Sequence, residues 1–145
     1  MEDDVFTRMI GAITSQERRD RAERKFGASV VLAGYQVVPD VLVRYQGRLG
    51  LSPTDLCVLL NLGAHWWYPE SQPSPRSSTI ARRMNIHVRQ VQRSLRALKD
   101  AGLIDVQKEN GRRSYDLKPL VKSLERLAEK ELGEKESREA ARFLD

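Results

Sequence analysis

The chain has 145 residues, 40% of them hydrophobic and 31% charged, with a formal net charge of +5, a composition expected of one compact globular domain with helical extensions. No apolar run approaches the ~20 residues needed to span a bilayer, and the acidic start Met1-Glu2-Asp3-Asp4 is unlike a basic signal peptide, so the expected location is cytoplasmic and nucleoid-associated. The single cysteine, Cys57, excludes an internal disulfide; lying in an apolar run, it is expected to be a buried structural thiol.

In chain order, residues 4–13 place Val5, Phe6, Met9, Ile10 and Ile13 on one helical stripe that needs a partner surface. Residues 14–26 are almost wholly charged, opened by a capping box of Thr14 and Glu17 and closed by Gly27, which predicts an exposed helix. Residues 29–38 are β-branched and aromatic enough for a short strand, after which Pro39 starts a helix ended by Gly47 to Gly50. Ser52-Pro53-Thr54-Asp55 is a strong helix start: a hydroxyl N-cap, a proline at the first position and an acid on the positive end of the dipole. Leu56, Leu59, Leu60, Gly63 and Trp67 then share one face, so Trp66-Trp67 reads as the end of a core stripe. The competing reading makes His65-Trp66-Trp67-Tyr68 a base-stacking platform. Residues 69–75, with three prolines, form a loop.

Ser77 or Ser78 caps the next short helix, whose inward positions are Ile80, Ala81 and Met84. A second helix over residues 88–101 puts Val88, Val91, Leu95 and Leu98 on one face and stops at Gly102. Two helices sharing an apolar seam across a three-residue turn form a helix-turn-helix, with Ile86 plugging the turn and Asn85 able to take the left-handed conformation of its corner. The net charge is concentrated here. Residues 76–113 carry 10 basic and 3 acidic side chains, whereas residues 1–50 carry 8 and 7 and residues 119–145 carry 6 and 7. Such a footprint suits a polyanion, although a solvated basic surface would give the same count. The outward face of the second helix carries the tools for base readout, since Arg pairs bidentately with guanine and Gln with adenine. Arg89, Gln90 and Arg93 are therefore expected on base edges of double-stranded DNA, and Ser78, Arg82, Arg83, His87, Arg96 and Lys99 on phosphates.

Residues 103–109, then Asn110-Gly111, then residues 112–117 predict a hairpin with a type I′ turn. That turn pairs Glu109 with Arg112, Lys108 with Arg113, Val106 with Tyr115 and Ile104 with Leu117, so apolar pairs share one face. Lys108 opposite Arg113 is a like-charge pair that a phosphate would relieve, and Lys108, Arg112 and Arg113 are expected to contact DNA phosphates. The alternative is two long side chains splayed into water. Residues 119–132 carry Leu120, Val121, Leu124, Leu127, Ala128 and Leu132 on a helical stripe, covered either by the domain itself or by a second copy. With the stripe at residues 4–13, it leads us to expect a homodimer that binds an inverted repeat.

The order of helices and hairpin predicts a mainly α fold with a small β-hairpin, a winged helix-turn-helix at residues 29–118 flanked by helical extensions at 1–28 and 119–145. The sequence also resembles a prokaryotic winged-helix family common on plasmids, phages and other mobile elements, including replication-initiator DNA-binding domains. The shared pattern comprises Gly34-Tyr35, Val38-Pro39, LGLSPTDLCVLLNL, HWW before Pro69, STIARRM, Arg89 with VQR at 91–93, AGLI and Tyr115-Asp116-Leu117, and covers residues 34–121. Similar proteins have Gly-Val-Ser where this chain has Asn85-Ile86-His87. Without the serine N-cap, His87 becomes either a weak cap or an additional phosphate contact. The resemblance implies DNA binding. A small transcriptional regulator is the first expectation, a replication or segregation factor of a mobile element the second, and a protein-binding winged helix the third. Cys57, His65 and His87 form no metal-spaced cluster, and no glycine-rich phosphate loop or nucleophile with its base occurs, so neither an enzyme nor a cofactor is expected.

Overall fold

The computed structural model of the chain describes residues 16–144, which fall into two compact units divided between Val37 and Val38. The expected helix over residues 4–13, and Thr14 of the capping box, lie outside the described residues.

In the first unit, residues 16–26 are helical (α1) and mostly exposed. One-turn pairs lace this helix: Arg21–Glu17 and Arg19–Glu23 at 3.6 Å, and Gln16 donating to Asp20 at 3.0 Å. Beyond Gly27, at φ 89°, comes a short helix α2 (Ala28–Ala33) in place of the strand expected over residues 29–38. The reason is pairing. Among the described residues the sheet has two strands, both near the other end of the chain; without a neighbour a strand leaves its backbone groups unsatisfied, whereas a helical turn satisfies them locally.

In the second unit, Pro39 precedes α3 (Asp40–Arg44), which stops before the expected boundary and gives way to turns through Gly50 at φ 78°. Helix α4 (Pro53–Ala64) starts as the sequence dictates. The Asp55 N–H donates to Ser52 Oγ and the Ser52 N–H to Asp55 Oδ2, each at 3.0 Å, with Pro53 at the first position. Its buried face centres on Val58, Leu59 and Leu62, and Leu56 and Leu60 lie at the margins. Cys57 falls outside that face and is exposed, not buried as expected. The helix also ends at Ala64, so the 3.6-residue spacing does not extend to Trp67. Trp66 turns onto the core, while Trp67 is 76% exposed with its indole N–H donating to the Ala64 carbonyl at 3.0 Å, where helix ends leave carbonyls unsatisfied.

Helices α5 (Ser77–Met84) and α6 (Val88–Asp100) meet at Asn85, which takes the left-handed conformation at φ 53°. The hydroxyl cap expected from Ser77 or Ser78 does not form: the N-cap of α5 is Arg76, which makes no side-chain cap, and its carbonyl accepts the first backbone bonds of the helix from the Thr79 and Ile80 N–H groups. Strands β1 (Asp105–Glu109) and β2 (Arg112–Asp116) pair in the expected register, Glu109 with Arg112 through Val106 with Tyr115, across Asn110 (φ 51°) and Gly111 (φ 78°). Leu62, Ile80, Val91, Leu98, Ile104 and Tyr115, each under 2% exposed except Tyr115 at 2%, knit α4, α5, α6 and the hairpin into one core. Full burial of each aliphatic member stabilises the fold by about 1.5–3 kcal/mol. The architecture is a winged helix-turn-helix.

Helix α7 (Lys118–Leu144) has 27 residues and continues beyond the apolar stripe read over residues 119–132. Leu120 and Leu124 belong to the core, Val121, Leu127 and Ala128 are half-buried, and Leu132 is 60% exposed. The first turns of the C-terminal stripe are thus covered by their own domain. Arg44 Nη2 meets Glu131 Oε2 at 2.8 Å, tying α3 to the middle of α7. No helix among the described residues is long and apolar enough to cross a membrane.

Candidate nucleic-acid interface

Because Val91, Ser94, Leu95 and Leu98 face inward, a turn of 100° per residue sets Arg89, Arg93 and Arg96 on the opposite face of α6. Gln92 and Lys99 then lie on the flank toward the hairpin, and Gln90 on the opposite flank. Arg89, Gln92, Arg93 and Arg96 line one depression. Between α6 and the hairpin, Gln92, Arg96, Lys99 and one acid, Asp100, line a groove with Lys108 and Arg113. Gln92 also borders an adjoining groove with Arg76, Ser77, Lys108, Arg112 and Arg113. The three depressions meet at Gln92.

This surface keeps its charge. The ion pairs among the described residues are Arg19–Glu23, Arg21–Glu17, Arg44–Glu131 and Arg138–Glu134; none uses a basic group from residues 76–113. Lys108 and Arg113 stand directly opposite in the hairpin. They form a non-hydrogen-bonded pair, since the Arg113 carbonyl and the Tyr115 N–H flanking it are both used on the outer side of β2, and side chains are closest at such pairs. Two cations held there repel until an anion or water separates them.

The first turn of α6 is locked by its own residues. The Arg89 N–H donates to His87 Nδ1 at 3.2 Å and the His87 N–H donates to Gln90 Oε1 at 3.0 Å, a reciprocal cap built without the usual serine. His87 thus serves as the N-cap of α6. Gln90 is exposed, but its amide oxygen is engaged in that lock.

The hairpin is braced from outside. Residues 72–74 run along β2: the Tyr115 N–H donates to the Pro73 carbonyl at 2.9 Å, the Ser114 hydroxyl to Gln72 Oε1 at 3.0 Å, and the Ser74 hydroxyl to the Arg113 carbonyl while accepting from Arg112 Nε at 3.1 Å.

Arg89, Arg93, Arg96, Lys99, Lys108, Arg112 and Arg113 are thus gathered around one surface. Ser78, Arg82 and Arg83 are exposed on α5 but do not line its grooves. Arg83 Nη1 lies 3.0 Å from His65 Nε2; a guanidinium only donates, so Nε2 accepts and the ring is neutral. Burial, followed by the Arg83 charge, pushes the His65 pKa below its ordinary value. Three residues of the surface went unmarked in the sequence: Gln92, Arg76 and Ser74. For Gln92 a signal existed, because 92 falls on the hairpin side of α6; Ser74 is revealed only by the long-range brace and Arg76 only by the groove it borders. Among the described residues no group of three or more His, Cys, Asp or Glu could hold a metal ion.

Residues 49–104, spanning α4 to α6, match the model of a helix-turn-helix domain. The N-terminal domain of the DnaD protein from Geobacillus kaustophilus is similar in fold, at 22% identity and a TM-score of 0.59 over 78% of this chain and 96% of that one. Two other solved structures align at lower scores. One is a homodimeric winged helix-turn-helix DNA-binding domain from Mycobacterium bovis, a possible ArsR-family transcriptional regulator, with 20% identity and a TM-score of 0.40 over 70% of this chain and 84% of that one. The other is the YusO protein from Bacillus subtilis, with 16% identity and a TM-score of 0.41 over 99% of this chain and 94% of that one. No curated protein matches the chain.

Proposed function

We propose that this protein binds double-stranded DNA sequence-specifically, laying α6 in the major groove and the hairpin on the flanking backbone, and that it does so as a transcriptional regulator. The observation that carries the reading is the continuous surface around Gln92, where arginines and lysines from α6 and the hairpin stand without a carboxylate partner among the described residues. A helix ~10–12 Å across fits a major groove ~12 Å wide. Arg89 and Arg93, near the start of α6 and pointing outward, take base edges; Arg96, Lys99, Lys108, Arg112 and Arg113 take phosphates. Arg82 and Ser78 extend the phosphate contacts along α5. The sequence resemblance adds a setting on a mobile element. No catalytic step is part of the proposal.

One recognition helix and one hairpin read only a few base pairs, so regulatory affinity calls for two copies on an inverted repeat. Leu132, Phe143 and Leu144, 60%, 90% and 87% exposed, supply apolar groups on the free part of α7 for that pairing. The test is selection from a random-sequence duplex pool at several salt concentrations, with sedimentation of the full chain at micromolar concentration. A selectable inverted-repeat motif and a dimer are expected. Absence of any motif would leave the protein-binding alternative, and a monomer on a single unrepeated site would remove the dimer. Mapping the motif to promoters supports regulation; mapping it to a repeat array at an origin would favour replication instead.

A further inference from the structure

We infer that Gln92, rather than Gln90, is the glutamine of α6 that reads a base, that the base is adenine, and that Gln90 is a positioning residue. This rests on the reading of α6 as a major-groove helix. Both side chains are exposed, but two residues apart on a helix means about 200° apart around it, so one groove cannot receive both in the same way.

Bidentate pairing with adenine uses both ends of the amide at once, the oxygen accepting from N6 and the N–H donating to N7. Gln90 does not have both ends at liberty. Its Oε1 accepts the His87 N–H at 3.0 Å, while His87 Nδ1 accepts the Arg89 N–H at 3.2 Å. Turning the Gln90 amide toward a base would open this reciprocal cap and strip the His87 N–H of its partner, at the turn that also sets the direction of Arg89. Gln90 therefore acts through the backbone it holds.

Gln92 has nothing to release, for its amide has no hydrogen-bond partner among the described residues. It occupies the meeting point of the three grooves, between Arg89, Arg93 and Arg96 on one side and Lys108 and Arg113 on the other. Of these cations, Arg96 on the first side and Lys108 and Arg113 on the second settle on phosphates, which register the helix without reading sequence. A neutral amide between them adds nothing to that attraction. What it contributes is an adjacent donor and acceptor, the complement of adenine's major-groove edge, whereas guanine presents two acceptors there.

The experiment is selection of bound sites from a random duplex pool with the full chain, as wild type, Gln92→Ala and Gln90→Ala, followed by affinity measurements against salt. The expected result is an adenine-restricted column in the wild-type motif that Gln92→Ala alone loses, with affinity for the preferred site lowered about 5- to 150-fold and the salt slope unchanged. Gln90→Ala should weaken all sites by one common factor, keep the column, and speed hydrogen exchange at the His87 amide. Loss of the column in Gln90→Ala, or its survival in Gln92→Ala, overturns the inference while leaving DNA binding in place. A wild-type protein that selects no motif overturns both.

Discussion

Arg112 Nε donates to the Ser74 hydroxyl at 3.1 Å across 38 residues of chain, and the same hydroxyl donates to the carbonyl of Arg113. One serine thus fixes both a backbone group and a guanidinium of the hairpin. Ser74→Ala is expected to lower stability by about 0.5–1.5 kcal/mol per hydrogen bond lost, read as a shift of the urea midpoint. DNA affinity should fall alike for all sequences, because a loosened hairpin misplaces phosphate contacts only. An unchanged midpoint would mean that the brace contributes no stability.

The hairpin itself is expected to contribute charge without sequence preference. In the double variant Arg112→Ala, Arg113→Ala, the slope of log affinity against log salt should flatten by about two units, one per lost phosphate contact. A slope equal to the wild type's would place the hairpin off the DNA.

Arg93 stands exposed on the outward face of α6, with no ion pair among the described residues. Arg93→Ala should lose about 1–3 kcal/mol on the preferred site and relax one base position, in contrast to the uniform loss from the hairpin. Equal weakening on every sequence would reassign Arg93 to a phosphate.

His65 gives the fold a pH dependence of calculable sign. Its pKa is depressed from 6.5 by burial and by Arg83, so the unfolded chain takes up the proton first as pH falls. The stability contributed by the neutral ring is whole above pH 6.5 and is lost as pH falls through the lower, folded-state value. Thermal midpoints measured on both sides of that value should fall more steeply toward acid in the wild type than in His65→Gln, whose amide oxygen still accepts from Arg83. Parallel profiles would show that His65 does not couple to folding.

What could be read from the sequence was what local chemistry decides. Ser52-Pro53-Thr54-Asp55 forms its capping box, Asn85 takes the left-handed corner, and Asn110-Gly111 sets a register in which every pair follows from the turn. The misreadings share a different cause. Extending one helical stripe turns Trp67 inward, and the surrounding apolar run suggests a buried Cys57, but the buried face of α4 centres on Val58, Leu59 and Leu62, and the helix stops at Ala64. Residues 29–38 have strand-like composition and no strand to pair with. The capping bond of Gln90 is hidden for a related reason: it depends on His87 standing at the N-cap, and a histidine there does not announce that it will cap.

The docking of residues 72–74 along β2 also bears on how the protein behaves in concentrated solution. A two-stranded sheet has two open edges, and an open edge invites another chain to add a strand to it. Here the outer edge of β2 is already filled: its Tyr115 N–H and Arg113 carbonyl are bound to Pro73 and Ser74. Prolines at 73 and 75 cannot themselves donate to a further strand. The remaining edge, on β1, is short and carries Asp105, Lys108 and Glu109, charges that discourage stacking. The loop that braces the hairpin thereby also shields it from edge-to-edge aggregation.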